Sequence, residues 1–112
     1  MKITADTNVL VRALVQDEPE QARAASALLE QAELVAIPLP VLCELVWVLR
    51  RVYGFAGADC VGAIEALMAS KTVVADGVIA WGGRLLGSEQ LATFDGNAAG
   101  LLREAGEPVL LL

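Results

Sequence analysis

Short apolar runs alternate along the chain with longer stretches in which apolar residues recur every three or four positions. The first run, Ile3–Ala5, predicts a strand. It leads into Asp6-Thr7-Asn8 and a second apolar run, Val9–Val15, that predicts a short helix. Ala22, Ala25, Leu28, Leu29 and Ala32 then share one helical face, so Pro19–Gln31 reads as an amphipathic helix. Asp17 and Glu20, with Pro19 between them, have capping-box spacing at its start. Leu34–Ile37 predicts a second strand, closed by Pro38 and Pro40. Val41–Tyr53 is apolar nearly all round, which predicts a buried helix ending in Arg50, Arg51 and the stop residue Gly54. Ala58–Ser70 predicts a further helix, Thr72–Ala75 a strand, and Asp76–Leu86 a glycine-weakened helix. Leu91–Phe94 predicts a strand, Asn97–Glu104 a short helix and Val109–Leu112 a last strand.

Strands that are apolar on both faces and alternate with helices imply a parallel sheet covered on each side. The expected fold is therefore a three-layer α/β/α domain with a short parallel sheet, a single unit over residues 1–112. No repeat or linker interrupts it. At 56% hydrophobic residues the chain can bury enough surface to fold, yet no run is long enough to span a membrane. Asp6 and Arg12 within the first apolar stretch argue against a signal peptide. Cys43 and Cys60, both in apolar surroundings, read as reduced, buried thiols of a cytoplasmic protein.

Charge narrows the chemistry. A net charge of −6 is the wrong sign for a groove that holds nucleic acid by charge alone. With no histidine, a Ser-His-Asp triad, a Cys-His dyad and a His-ligated zinc are excluded. Carboxylates remain. Ligands of open parallel sheets bind beyond the carboxyl ends of the strands, where Asp6, Asp76 and Asp95 are expected. Glu44 is expected in the first turns of the helix after the second strand, amid Leu42, Cys43, Leu45, Val46 and Trp47. Taken singly, each aspartate could simply cap a helix, and Glu44 could pair with Arg12 or Arg50. Taken together, such a cluster must stay partly protonated or be neutralised by a divalent cation. All-oxygen ligation suits Mg²⁺ or Mn²⁺, and a hard cation with open positions is equipment for phosphodiester hydrolysis.

These residues also carry a resemblance. Asp6-Thr7-Asn8-Val9-Leu10-Val11-Arg12 resembles the opening motif of PIN-domain proteins, specifically the VapC-type toxins of bacterial toxin–antitoxin pairs. Pro40–Trp47, which contains Glu44, is similar to the second-acid helix of that family. Ala75-Asp76-Gly77-Val78-Ile79-Ala80 is similar to its third-acid motif, and Ala92-Thr93-Phe94-Asp95 with Ala98 to its fourth. The matches occur in order over essentially the whole chain. The resemblance implies a Mg²⁺- or Mn²⁺-dependent endoribonuclease that acts on an RNA substrate, forms a homodimer and is silenced by a cognate antitoxin protein. It carries over Asp6, Glu44, Asp76 and Asp95 as the catalytic and metal-binding acids, with Thr7 and Thr93 as polar neighbours. Thr7 and Thr93 could equally make ordinary turn hydrogen bonds. Arg12 and Arg84 are the candidate RNA contacts.

One departure from the family stands out. Thr72-Val73-Val74-Ala75 runs straight into Asp76-Gly77-Val78, where the family has a helix and loop between the third strand and the third acid. If the third strand lies at the sheet edge, Asp76 has no slack to reach the centre. That leaves a non-catalytic alternative: a shortened PIN scaffold that dimerises or binds an antitoxin without cleaving. A receiver-like phosphoacceptor is a further alternative, but it lacks its late lysine, since none follows Lys71. A haloacid-dehalogenase-like phosphatase would need aspartate where Asn8 stands.

Overall fold

The computed structural model describes residues 1–76, 90–106 and 108–112. Five strands form one parallel sheet: β1 (Lys2–Ala5), β2 (Leu34–Pro38), β3 (Val73–Asp76), β4 (Gln90–Thr93) and β5 (Val109–Leu111). Their order is β3-β2-β1-β4-β5. The described helices are α1 (Thr7–Val15), α2 (Pro19–Gln31), α3 (Leu39–Arg51), α4 (Gly57–Met68) and α5 (Gly96–Glu104). The expected α/β domain is thus observed, and most elements fall within two residues of their predicted ends. The expected helix at Asp76–Leu86 lies outside the described residues beyond Asp76, as does Arg84.

The order of the strands creates the site. The chain builds outward from β1 through β2 to β3 on one side, then returns to pair β4 against the other side of β1. The crevice between the carboxyl ends of β1 and β4 is the point where that order reverses. Register sets Ala5 beside Ala92, and the Asp6 amide extends the ladder by donating to the Ala92 carbonyl at 3.1 Å. On the far side Pro38 lies beside Asp76, so β3 forms the sheet edge.

The core lies between the sheet and its helices. Ile3, Val35 and Ile37 of the strands are fully buried with Val9 and Leu10 of α1 and with Val41, Leu45 and Leu49 of α3. The α3 residues recur at i, i+4 and i+8, one stripe along the helix. Helix α2 starts at Pro19 and buries Ala22, Ala25 and Leu28, as its periodicity predicts. Helix α3 ends where Gly54 takes a left-handed turn (φ +69°) and the Phe55 amide donates back to the Leu49 carbonyl at 2.9 Å.

Three expectations are corrected. Helix α3 is amphipathic and not buried all round: Leu39 and Trp47 are exposed, Trp47 by 59%, as is Val52 at its C-cap. Cys43 and Glu44 lie on that outer side and are exposed, so Cys60 is the buried thiol of the pair. Asp17 does not cap α2, whose N-cap residue Glu18 makes no side-chain bond. Instead Asp17 accepts from Arg12 and from the Tyr53 hydroxyl. Among the described residues, no helix is long and apolar enough to cross a membrane.

Candidate metal centre at the β1/β4 crevice

Asp6 follows β1 directly and caps α1, with its Oδ1 accepting the Thr7 amide at 2.8 Å. Asp95 follows β4 by one residue and caps α5, with its Oδ1 accepting the amides of Asn97 (2.9 Å) and Ala98 (3.1 Å). The capping reading of these two acids therefore holds. A carboxylate at a helix N-terminus satisfies orphan amides with one oxygen and can present the other. Asp95 Oδ2 has no hydrogen-bond partner among the described residues.

A fully buried hydroxyl joins the two turns. Thr93 Oγ1 lies 2.9 Å from Asp6 Oδ2, 3.0 Å from the Asn8 side-chain nitrogen and 3.0 Å from the Asp95 amide. Asn8 completes the tie: its Oδ1 accepts the Phe94 amide at 3.0 Å and its Nδ2 also approaches Asp6 Oδ2 at 3.4 Å. The role of Asn8 is missed by reading the sequence as a local pattern, because Thr93 and Phe94 lie 85 and 86 residues further on. The one signal is its place two residues after the strand-end acid. Thr7 is buried, and its hydroxyl has no hydrogen-bond partner among the described residues.

Glu44 comes to the same cleft from α3. An open cleft of about 290 Å³ is lined by Asp6, Thr7, Asn8, Arg12, Glu44, Tyr53 and Asp95, with Val11, Val48 and Val52 as its apolar side. Neither Arg12 nor Arg50 forms an ion pair with Glu44 among the described residues. Arg12 is engaged otherwise: its Nε donates to Gln21 (2.7 Å), and its Nη1 to Asp17 (3.1 Å) and to Tyr53 (3.3 Å). Desolvation is the largest single influence on Asp17 and opposes its ionisation, but the Tyr53 hydroxyl, a backbone hydrogen bond and Arg12 together outweigh it and hold the carboxyl below its ordinary 3.8. This clasp ties the end of α1 to the end of α3, the two helices that carry acids into the cleft.

Asp76 stands apart. Its backbone closes the edge strand, two strand spacings or about 10 Å from β1. The structure therefore brings Asp6, Glu44 and Asp95 to one cleft and leaves the Asp76 backbone at the sheet edge.

The donor set suits a hard cation, being carboxylate throughout. Among the described residues no group of three or more acids or cysteines is drawn close enough together to hold a metal ion as it stands. Comparison with known proteins bears on the family and the fold. The PIN domain family model matches residues 3–110. The fold is similar to the crystal structure of VapC20 from Mycobacterium tuberculosis, a sarcin–ricin loop cleaving toxin. That likeness has a TM-score of 0.65 and 19% identity, covering 88% of this chain and 94% of that one. No curated protein matches the chain by sequence.

Proposed function

This chain belongs to the PIN domain family, and we propose that it is a Mg²⁺- or Mn²⁺-dependent endoribonuclease of the VapC toxin type. The observation that carries the reading is the meeting of Asp6, Glu44 and Asp95 on one cleft at the point where the strand order reverses. These acids would hold the cation. When bound, it would supply Lewis-acid activation of water and offset the charge that develops on the phosphodiester. Capping holds Asp6 and Asp95 rigidly, while Glu44 extends from α3 without a partner among the described residues. Arg12 adds positive charge at the cleft, and its Nη2 makes no hydrogen bond among the described residues, so it can meet a phosphate oxygen. The protein's negative charge otherwise repels RNA, which makes a cation necessary for approach as well as for chemistry.

A structured RNA substrate, a cognate antitoxin, a homodimeric state and a cytoplasmic setting belong to the same proposal. The RNA class is supported by the fold shared with a toxin that cleaves the sarcin–ricin loop. The test is cleavage of a sarcin–ricin hairpin and of unrelated structured RNAs by the purified chain in Mg²⁺, Mn²⁺ or EDTA. Cleavage that needs the cation and falls about 100-fold or more in Asp6→Asn supports the reading. Cleavage in EDTA, or cleavage untouched by Asp6→Asn, refutes it. The edge position of Asp76 favours a second reading, a scaffold that dimerises or binds an antitoxin without cutting. Antitoxin binding that persists in EDTA, with no cleavage under any cation, would select it.

A further inference from the structure

We propose that Asn8 is a positioning residue for the metal centre, orienting Asp6 directly and Asp95 through Thr93. This rests on the proposed metal site and adds to it a residue outside the acidic set. The argument is one of donors and acceptors. Asn8 Oδ1 receives the Phe94 amide, a group that can only donate, so the side-chain amide has one orientation and Nδ2 must face Thr93 and Asp6. Thr93 Oγ1 then accepts from Asn8 Nδ2 and from the Asp95 amide, both at 3.0 Å. Its two lone pairs are occupied, and its single proton is directed to Asp6 Oδ2 at 2.9 Å.

The network therefore runs one way, from backbone amides that cannot reverse, through Asn8 and Thr93, to one carboxylate oxygen. Thr7 N–H fixes the other oxygen. Asp6 is left with a single carboxylate plane at the cleft it lines. The same Thr93 oxygen seats the amide of Asp95, so the two acids on either side of the β1/β4 crevice are held in one register. Removing Asn8 frees the Thr93 hydroxyl to rotate and Asp6 to turn about its own side-chain bonds. Neither acid is lost, yet their mutual orientation is.

The experiment is Mn²⁺ titration of the full chain, by calorimetry and by the electron paramagnetic resonance signal of the bound ion. Wild type is compared with Asn8→Ala, Thr93→Val and Thr93→Ser, each first checked for a cooperative melt without metal. Loss of groups that orient metal ligands costs affinity by about 10–100-fold, the shift expected for Asn8→Ala and Thr93→Val, with a changed bound-ion spectrum. Thr93→Ser keeps the hydroxyl and should restore binding to near wild type, which a purely structural contribution of the buried methyl would not predict. Should Asn8→Ala not fold, Asn8→Ser, which cannot bridge both turns, takes its place with the same expectation. Wild-type Mn²⁺ affinity and spectrum in the folded Asn8 variant overturn the inference while leaving the metal site standing. Absence of Mn²⁺ binding by the wild-type chain overturns the metal site and this inference with it.

Discussion

Replacing Asp6 with asparagine tests two opposed accounts of the acidic cleft, because they differ in the sign of the stability change without metal. Every hydrogen-bonding direction filled around Asp6 is filled by a donor: Thr7 N–H at Oδ1, Thr93 O–H and Asn8 Nδ2 at Oδ2. Asparagine has one oxygen and one amino group, so its amino group must face either Thr7 N–H or the Thr93 hydroxyl. The first orientation discards the helix cap, worth about 1 kcal/mol. The second breaks a hydrogen bond to a charged acceptor, worth about 1.5–3 kcal/mol, and Thr93 cannot reverse while its lone pairs are taken. Against this, removing one charge relieves repulsion from Glu44 and Asp95, both exposed. Screened charges of this kind are worth less than about 1 kcal/mol. The net expectation in EDTA is a destabilisation of about 1–2 kcal/mol, and each kcal/mol lowers the melting temperature by about 4–8 °C in a domain of this size. Circular-dichroism melts in EDTA and in saturating Mn²⁺ read both terms. Ligand at about 100 times its Kd stabilises the wild type by about 2.7 kcal/mol, and the variant should gain distinctly less. An Asp6→Asn protein that melts higher than wild type in EDTA would refute the hydrogen-bond argument, and an equal gain from Mn²⁺ would remove Asp6 from the site.

Glu44→Gln should leave stability within about 0.5 kcal/mol, since Glu44 is exposed and unpaired among the described residues, while abolishing metal-dependent cleavage. A variant that still cleaves RNA at the wild-type rate counts against its role. Asp76→Asn should reduce cleavage far less than Asp6→Asn, and an equal loss in the two would show that Asp76 reaches the cleft. The Asp17 carboxyl is held below 3.8, so its stabilising contribution is complete above that value and disappears as pH falls through the lower folded value. Melts between about pH 5 and pH 2 should show this acid loss in wild type and a smaller one in Tyr53→Phe, which lacks the hydroxyl bonded to Asp17. Leu45→Ala, fully buried on α3, should cost about 2–5 kcal/mol in urea unfolding, and a cost below about 1 kcal/mol would contradict the packing. Exposed Leu39 and Trp47 on α3, with Val52 at its C-cap, lead us to expect a dimer by sedimentation, which a clean monomer at micromolar concentration would contradict.

What local pattern could show, it showed well. Pro19 and the spacing of Ala22, Ala25 and Leu28 are sufficient for α2, because a helix with one apolar stripe has one way to face a sheet. The strand-end acids were legible for a related reason: a parallel sheet exposes the carboxyl ends of its strands at one edge, so position along the chain translates into position in space. Helix α3 was harder. Apolar residues there outnumber the positions the core can take, and only the stripe of Val41, Leu45 and Leu49 is buried. Nothing local distinguishes those from Trp47 or Val52, and Glu44 was accordingly expected among buried neighbours when it is exposed. Asp17 shows the limit most clearly. Its spacing to Glu20 favours a cap, yet the hydroxyl of Tyr53, 36 residues later, takes it instead. Partners that distant are set by packing, which no window of sequence contains.

The three acids in the cleft are thus bound to the fold in different ways. Asp6 and Asp95 satisfy helix amides, and the Thr93 hydroxyl at the end of β4 donates to the Asp6 carboxylate and accepts from the Asp95 amide. Their carboxylates are oriented before any ligand arrives, by bonds the fold requires in any case, so little ordering remains when a cation binds. Glu44 has no such bonds, and its side chain must be ordered by the ligand itself. The rigid pair fixes where the site lies, at the crevice between β1 and β4. Glu44 on α3 reaches the same cleft, and the Arg12–Asp17–Tyr53 clasp ties the end of that helix to α1. On the proposed reading, a shortened third-acid segment is tolerable, because Asp6 and Asp95 are held by bonds that do not pass through Asp76.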